Sequence, residues 1–494
     1  MIRDTFSDIL DNKNVRQNLI QLKAELKISN NKVALLYQMG GDYSIFQKLI
    51  RDEDPKVRKN TALIMGELGV PSFLDVLYEG YLKEEQLFVK SSYLTAMKDM
   101  DYSNLIPELK KRLEYLTSLN IEESDKKHIN EEIRTLTNLV LKMEGTKSHL
   151  FTGYHIPSTL CLLTNRNFKE ITLEQLKSHK AKEFNAGVIV NTNDLSDILE
   201  IRTFSELLFM LEDVKSVPND INLIADLIAN SSLLDFMLKR HKEKAPFYFR
   251  IELKSKMDLD KKSSFTKKLS SEIERLTNRN FINTTSNYEF ELRLIENKEG
   301  NFNVLIKLFT LKDERFHYRK EVVASSIQPV NAALIAALAK SYLVEDGQVL
   351  DPFCGVGTML IERHKLVNAK TMYGLDIYGE AIEKAKINAK EANPIIHFIN
   401  RDFFDFKHEY LFDEIFTNMP RVMGHKDEDE INHIYQRFFL KAHEHLKEDG
   451  IIVMYSHSKE NVRRLMNPKK YKLLEELEIS KKEGAYLFII KCIK

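Results

Sequence analysis

The segment that most constrains the fold runs from Val349 to Leu360 and reads VLDPFCGVGTML. Its apolar start is typical of a buried strand, and the Pro and Gly residues that follow predict a tight turn into a helix. Gly355 and Gly357 suit this turn because a Cβ would hinder it and would keep the backbone away from a ligand. The segment therefore predicts a ligand-binding loop between a strand and a helix.

A second predicted strand, 371–376, gives this loop its context. It ends in Asp376, nineteen residues after Gly357. In a doubly wound sheet, an acid at this position faces the ribose hydroxyls of a nucleoside cofactor. A nicotinamide enzyme would have a third glycine in G-x-G-x-x-G, which the stretch 354–361 lacks. The pattern therefore favours a nucleoside cofactor that needs no pyrophosphate site.

Further predicted strands follow, and two of them have polar ends. The strand 395–399 is followed by Asp402 and Phe403, which can meet the amine and the face of an adenine. The strand 413–417 leads into Asn418-Met419-Pro420-Arg421. The remaining predicted strands are 450–455, 471–479 and 485–493, the last two forming a hairpin.

Length and charge limit the other possibilities. A chain of 494 residues suggests two to four domains. With 73 basic and 73 acidic residues, a general polycation is excluded, so any nucleic-acid surface must be local. The first residues lack the apolar core of a signal peptide, and no apolar run approaches the ~20 residues of a membrane span. We expect a cytoplasmic protein with no membrane contact.

Residues 1–145 show helical spacing of apolar residues, interrupted by short Gly, Pro or Asp breaks. In the portion 52–69, Asp54-Pro55 opens a predicted helix, and its inner side is predicted to carry Val57, Ala62, Leu63 and Met65. This portion resembles a HEAT repeat, which implies stacked helical pairs and a docking surface for a protein partner. An irregular helical domain is the alternative. The stretch 108–143 predicts one or two exposed helices, followed by a linker around Gly145.

The middle region, 146–320, is predicted to be α+β. Four β-rich runs are separated by predicted helices at 205–211 and 266–276; the runs are 187–190, 247–251, 288–294 and 303–308. Between Lys239 and Arg279 there are thirteen Lys or Arg residues and six Asp or Glu residues. A local excess of seven positive charges suits a phosphate backbone. An ordinary solvated face is the alternative.

Two patterns in this region resemble known modules. The run from Phe247 to Leu308, with its basic helix FTKKLSSEIERL, resembles a THUMP domain, a module of tRNA- and rRNA-modifying enzymes. The stretch 199–211, with Arg202-Thr203, resembles the ferredoxin-like segment that accompanies THUMP in RNA guanine methyltransferases. These resemblances imply an RNA partner bound through the basic region 239–279.

The carboxy-terminal part, 321–494, resembles the Rossmann-like fold of class I S-adenosylmethionine-dependent methyltransferases, and DPFCG-GT is a form of their cofactor motif in RNA and DNA amino-methyltransferases. With the THUMP-like segment, the chain resembles enzymes that make N2-methylguanosine in tRNA or 23S rRNA. The resemblance implies S-adenosylmethionine as cofactor. The implied cofactor-binding residues are Asp351, Phe353, Gly355, Gly357, Thr358, Asp376, Asp402 and Phe403.

In this family N-P-P-Y or D-P-P-Y orients the amine that is methylated. The resemblance assigns the acceptor role to Asn418, a second carbonyl to Met419 and the turn to Pro420. Two residues depart from the pattern: Met419 replaces a proline, and Arg421 replaces the aromatic residue that stacks on the base. A guanidinium plane can also stack on a base. Two alternatives stay open, namely a binding module that has lost turnover and a protein glutamine methyltransferase.

Other candidate residues have ordinary interpretations. His425, His433, His443 and His445 lack acid or Cys partners at ligand spacing, so we predict surface residues and no metal site. The stretch 427–430 is predicted to be a solvated loop. The three cysteines form neither a disulfide framework nor a metal pair, and the one in the cofactor loop, Cys354, is predicted to have a packing role.

Overall fold

The chain divides into two compact units, Met1–Lys147 and Ser148–Lys494. The computed structural model describes residues 2–119, 122, 124–145, 149–421 and 428–494. Thr146 and Lys147 of the predicted linker lie outside the described residues, and so do His425 and Asp427. Each unit is described by itself below.

The first unit is helical in its described residues. Its helices are α1 (Ile2–Leu10), α2 (Val15–Glu25), α3 (Ser29–Met39), α4 (Ser44–Leu49), α5 (Pro55–Leu68), α6 (Phe73–Lys83), α7 (Leu87–Met97), α8 (Ile106–Ser118) and α9 (Lys126–Glu144). Helices α2, α5, α7 and α9 contact one another in succession, and α1, α4, α6 and α8 each pair with one of them. The unit is therefore a stack of helical pairs.

Helix α5 begins and ends as its sequence predicts. The side chain of Asp54 accepts a hydrogen bond from the backbone N–H of Lys56 at 2.8 Å, and Pro55 occupies the first turn. The helix ends at Gly69, whose φ of +62° is the left-handed conformation that glycine favours. Local capping residues therefore fix both ends of this helix.

Two predictions for the first unit are wrong in detail. Val57, Ala62 and Met65 are buried, but Leu63 is half-buried and Ile64 is buried in its place. Helix α9 is not an exposed helix, because one face buries Ile129, Ile133, Leu136 and Leu139 in the core of the unit. Most of its charged residues are at least partly exposed, as in an amphipathic helix, whereas Glu132 is buried and accepts hydrogen bonds from Tyr81 and Arg112.

The second unit contains a nine-stranded sheet followed by a seven-stranded one. The strands of the first sheet are β1 (Ser158–Thr164), β2 (Lys180–Phe184), β3 (Gly187–Thr192), β4 (Phe204–Met210), β5 (Ser216–Val217), β6 (Phe247–Lys254), β7 (Phe281–Asn283), β8 (Phe290–Glu296) and β9 (Phe302–Leu308). Their order is β2-β3-β1-β4-β9-β8-β6-β7, and β5 also pairs with β9. Strand β6 is parallel to β7 and β8, and the other pairs are antiparallel. The helices are α10 (Lys169–Glu174), α11 (Leu195–Leu199), α12 (Ile221–Ala229), α13 (Leu233–Arg240) and α14 (Leu259–Leu276).

The predicted helix 205–211 is wrong, since these residues form most of β4, between β1 and β9. Leu208 and Phe209 are both fully buried, in different clusters of the core. A strand that is covered on both faces loses the alternation of polar and apolar residues that identifies a half-buried strand. That loss explains the wrong assignment.

The seven-stranded sheet has the order β12-β11-β10-β13-β14-β16-β15. Its strands are β10 (Gly347–Asp351), β11 (Ala369–Asp376), β12 (His397–Asn400), β13 (Phe412–Asn418), β14 (Leu446–Ser456), β15 (Tyr471–Ser480) and β16 (Ala485–Cys492). The first five are parallel, and β16 is antiparallel to β14 and β15. The helices are α15 (Pro329–Ala339), α16 (Thr358–Leu366), α17 (Gly379–Ala392), α18 (Glu428–His445) and α19 (Lys459–Leu465). The carboxyl ends of β10, β11 and β13 therefore meet at one edge, where such sheets bind ligands.

Alternate residues of the central strands enter different apolar clusters. Leu350 and Ile415 belong to the cluster around α18, whereas Val349 and Phe416 belong to the cluster around α15. The sheet is thus covered on both faces, as expected for parallel strands.

A buried ion pair joins the two sheets of this unit. Arg202, which precedes β4, donates to both carboxylate oxygens of Glu362 in α16, at 2.6 and 2.7 Å. The hydroxyl of Tyr318 donates to the same carboxylate at 2.6 Å. Arg202 belongs to the predicted domain 146–320 and Glu362 to the predicted domain 321–494, so these two predicted domains are in direct contact. Arg202 thus holds α16, the helix that follows the glycine loop after β10.

No single helix among the described residues is long and apolar enough to cross a membrane, although α12 and α13, bent by 44° at their break, meet that length and composition as a pair.

Candidate active site

The loop after β10 has the geometry that its glycines predict. Gly355 and Gly357 have φ values of +52° and +81°. A Cβ on Gly357 would lie 3.0 Å from the ring of Phe398, whereas a Cβ on Gly355 would meet no atom within 4 Å. Gly357 therefore permits close packing of the loop, and Gly355 leaves open space beside the backbone.

Asp376, at the end of β11, lies against this loop. Its carboxylate accepts hydrogen bonds from the backbone N–H groups of Gly355 and Tyr378, each at 2.9 Å. The next two side chains, Ile377 and Tyr378, are 54% and 58% exposed although both are apolar. They form an apolar surface beside the acid, suited to the face of an adenine, which the sequence analysis missed. In the sequence, the signal that could have identified Ile377 and Tyr378 is their position directly after the acid that ends a strand.

The third acid, Asp402, begins a short 3-10 helix and accepts a hydrogen bond from the backbone N–H of Phe404 at 2.9 Å. Phe403 is buried and packs against Phe353 and the core. Phe404 is half-buried, and the guanidinium of Arg437 lies 3.9 Å from its ring centroid. Since Phe403 faces the core, Phe404 is the more exposed ring at this end of the site.

Asp351 is completely buried at the end of β10. One carboxylate oxygen accepts hydrogen bonds from Thr417 Oγ1 at 2.7 Å and from the backbone N–H of Phe353 at 3.1 Å. Among the described residues, the other oxygen has no hydrogen-bond partner, and the buried Oγ1 of Thr358 has none either. Burial raises the pKa of Asp351 to about 7, although the two hydrogen bonds lower it. The strand ends of β10 and β13 are thus linked through a carboxyl group with unused bonding capacity.

Asn418 ends β13, and the chain then turns along β14. The backbone N–H of Met419 donates to the carbonyl of Tyr455 at 2.9 Å, and the Met419 side chain is buried. Arg421 is exposed, and its Nη1 lies 3.2 Å from Nε2 of His457. Because a guanidinium only donates, Nε2 of His457 accepts this bond. Burial lowers the pKa of His457, and the positive charge of Arg421 lowers it further.

Most of these residues line a cavity of about 690 Å³. Of the predicted site residues, it is lined by Phe353, Gly355, Thr358, Asp376, Asp402, Phe403, Asn418, Pro420 and Arg421. Asp351 and Gly357 lie behind this surface and support it. The lining also includes residues that the sequence analysis did not select, among them Ile377, Tyr378, Phe404, Arg437, Tyr455, His457 and Glu483.

Among the other candidate residues, His433 is exposed, as predicted, and lines this cavity. Cys354 lies in the cavity wall but is buried, and burial raises the pKa of its thiol well above the ordinary value. His445 is not a surface residue, because it is buried against Phe406. His443 bonds to the carbonyl of Ile493. Within the described part of the chain, no three His, Cys, Asp or Glu side chains form a group that could hold a metal ion.

The basic region 239–279 is less uniformly available than its composition suggests. Arg240 is buried, stacks 3.9 Å from the Phe236 ring centroid and donates to the carbonyl of Pro157, and burial lowers its pKa to about 10. Six of the other basic residues pair with described acids. The six that make no ion pair with a described residue are Lys242, Lys244, Lys256, Lys262, Lys267 and Lys268. These lysines form the part of the region that is available to a phosphate backbone.

The residues of the 690 Å³ cavity fit S-adenosylmethionine. Open space beside Gly355 admits a ligand close to the backbone, Asp376 can accept the ribose hydroxyls, and Ile377 and Tyr378 offer an apolar surface. Thr358 Oγ1 at the start of α16 bonds to no described residue and is able to bond a polar group. The adenine, the ribose and one polar group of such a nucleoside therefore each meet a suitable group.

Comparisons with known proteins agree with this geometry. Residues 317–482 match the UPF0020 family model, described as RMKL-like, methyltransferase domain. The match includes β10 to β15 of the seven-stranded sheet, so this part of the chain is a methyltransferase-like domain. An uncharacterized RNA methyltransferase of Clostridium tetani (strain Massachusetts / E88) is 38% identical over 69 residues, which are 14% of this chain and 15% of that protein. The match thus spans a small part of this relative's length.

Two solved structures share the fold of a larger part of the chain. TrmN from Thermus thermophilus is 17% identical with a TM-score of 0.52, covering 68% of this chain and 100% of that chain. SMU.472, a putative methyltransferase complexed with SAH, is 13% identical with a TM-score of 0.51, covering 68% and 98%. The likeness therefore extends beyond residues 317–482. The match to the methyltransferase domain model confirms the predicted cofactor, S-adenosylmethionine.

Replacing Gly355 by alanine is expected to weaken S-adenosylmethionine binding about tenfold. The added Cβ would occupy the open space beside the loop that a ligand needs. The left-handed backbone costs a non-glycine residue about 1 to 2 kcal/mol, which lowers the stability of the free and the bound protein alike. Calorimetric titration measures the affinity. Gly300→Ala is the matched control, since Gly300 also has a positive φ and open space but lies in the β8–β9 turn. Equal affinities of the two variants would contradict this role.

Proposed function

We propose that this protein is an S-adenosylmethionine-dependent methyltransferase acting on structured RNA, tRNA or 23S rRNA, and that it methylates the N2 amine of a guanosine. The observation that carries the proposal is the position of Asn418. This amide ends β13 in the same cavity as Gly355 and Asp376, so an amine held by Asn418 lies beside the cofactor site.

The exocyclic amine of guanine is a poor nucleophile because its lone pair is conjugated into the ring. The bound cofactor supplies a methyl group that is already activated on a sulfonium. The protein therefore contributes position and electrostatics. Asn418 Oδ1 accepts one amine hydrogen, the carbonyl of Met419 accepts the second, and Pro420 holds the turn. Two acceptors placed in this way direct the nitrogen lone pair towards the methyl group.

Arg421 takes the place of the aromatic residue in N-P-P-Y. Its planar guanidinium can stack on the target base. The contact with His457 at 3.2 Å restrains this flexible side chain, so less conformational freedom is lost when a base binds. The pair Arg421–His457 is therefore suited to replace the missing ring.

The RNA would be held by the nine-stranded sheet and its helices. The six unpaired lysines of residues 239–279 provide a local positive surface, and a THUMP-like role for this region agrees with the ion pair between Arg202 and Glu362. The helical pairs of the first unit would act as a HEAT-like docking surface for a protein partner. A cytoplasmic site of action suits an enzyme that modifies these RNAs.

Nucleoside mass spectrometry tests the proposal. RNA from a strain lacking the gene is incubated with the purified protein and isotope-labelled S-adenosylmethionine, then digested to nucleosides. We expect label in N2-methylguanosine. Label in another methylated base would contradict the guanosine assignment, and label only in protein would favour the glutamine methyltransferase. Calorimetric binding of the cofactor without any transfer would favour the module that has lost turnover.

A further inference from the structure

A second cavity, of about 770 Å³, adjoins the 690 Å³ cavity. Arg421, His457 and Glu483 line both. A substrate whose amine is held at Asn418 therefore has room for its next group on the far side of Arg421. This neighbouring cavity lies within the size range of about 300 to 1,000 Å³ that is usual for small-molecule sites.

The start of α18, the segment 458–464 and the β15–β16 turn provide the walls of the neighbouring cavity. The described residues that line it are Arg421, Glu428, Ile431, Asn432, His457, Ser458, Glu460, Asn461, Arg464 and Glu483. Apart from the three shared residues, none of them lines the 690 Å³ cavity. Its chemistry can therefore be changed without altering the cofactor site.

The charges of this lining argue against a phosphate. Three carboxylates, those of Glu428, Glu460 and Glu483, face two guanidiniums. Burial and the neighbouring Arg421 lower the pKa of His457, so His457 adds no positive charge at neutral pH. The net charge of the described lining residues is then negative, and like charge disfavours an anionic ligand.

The hydrogen-bonding groups suit an uncharged polar ring instead. Arg464 donates to the amide oxygens of Asn432 at 3.2 Å and Asn461 at 2.9 Å. The two amide nitrogens make no hydrogen bond with a described residue and remain available as donors, and the carboxylates are acceptors. Nucleobase edges carry both donors and acceptors, and the guanidinium plane of Arg421 can stack on a base.

We propose that the neighbouring cavity holds the unpaired base of the nucleotide next to the target in the RNA strand. The inference rests on the proposed function and deepens it. It places the target in a loop, bulge or single-stranded end, because a base inserted into this cavity cannot remain stacked in a continuous helix. The enzyme would thus hold two consecutive bases, one on each side of Arg421.

The test is steady-state kinetics with the RNA fraction that the wild-type protein methylates. Asn432→Phe, which fills the neighbouring cavity, is expected to raise KM for RNA about tenfold, with kcat and the calorimetric Kd for S-adenosylmethionine within about twofold of wild type. Asn432→Gln should restore most of the affinity. Gln436→Phe is the matched control on the same helix, since Gln436 is exposed and lines neither cavity.

The outcomes are distinguishable. An unchanged KM for Asn432→Phe, with RNA methylation intact in the wild type, would overturn this inference and leave the proposed function standing. If Glu460→Gln lowers KM and steepens the salt dependence of RNA binding, the cavity takes a phosphate and the base assignment is wrong. Absence of any RNA methylation by the wild type would overturn both the proposed function and this inference.

Discussion

Replacing Asn418 by alanine is expected to lower kcat for methyl transfer by about 100-fold or more. The lost acceptor acts on the amine in the transition state, and removal of one such preorganised partner costs about 2.7 to 4 kcal/mol in other enzymes. The affinity for S-adenosylmethionine should stay unchanged, because Gly355, Asp376 and the apolar surface at Tyr378 remain in place. Single-turnover kinetics and calorimetry measure the two quantities separately.

Two further variants make this prediction specific. Asn418→Asp should keep more activity than Asn418→Ala, since its carboxylate still accepts the amine hydrogens. Asn467→Ala is the control, because Asn467 caps a turn before β15 and lines neither cavity. If Asn418→Ala transfers methyl groups at the wild-type rate, the amine is oriented by another group and the proposed mechanism fails.

The methyltransferase part of the fold could be predicted because its signals are local. Gly355 and Gly357 have a left-handed backbone conformation that other residues disfavour. The acid after the second strand follows them at a fixed distance in the chain. Parallel strands bring their carboxyl ends to one edge, so a list of strand ends in sequence is already a list of neighbours in space. The predicted residues Asp376, Asp402 and Asn418 meet in one cavity for this reason.

The residues that were missed depend on contacts distant in sequence. Tyr455 and His457 reach the site only because β14 lies beside β13, and no local pattern predicts that Arg421 contacts His457 thirty-six residues away. The basic region shows the same limitation. Charge counting treated Arg240 as a surface residue, although the fold buries it against Phe236.

The choice between Phe403 and Phe404 was also beyond the sequence. Two adjacent aromatic residues point in different directions, and only the packed structure shows that Phe403 enters the core while Phe404 contacts Arg437. A similar ambiguity produced the wrong helix at 205–211, where burial on both faces removed the strand periodicity. The spacing of apolar residues depends on which faces of an element are exposed, so it identifies a strand only where one face is exposed.

Replacing Asp351 by asparagine is expected to stabilise the cofactor-free protein at pH 8 by about 4 kcal/mol. Burial raises the pKa of Asp351 to about 7 in the folded protein, against 3.8 for an ordinary aspartate. A carboxyl whose pKa is higher when folded binds its proton more tightly in the folded state. Its contribution to stability is therefore full below about pH 4 and is lost as the pH rises through about 7.

The difference in the free energy of unfolding between Asp351→Asn and wild type should thus grow from pH 4 to pH 8, as measured by urea denaturation at each pH. Taking this difference removes the titration of the other groups, which both proteins share. Asp405→Asn is the control, since water reaches that carboxyl in the folded protein as well. A difference that does not change with pH would mean that Asp351 is charged when folded. In that case another group would stabilise the charged form of Asp351 before the cofactor binds. The carboxylate oxygen that has no hydrogen-bond partner among the described residues would then not need a bond from the ligand.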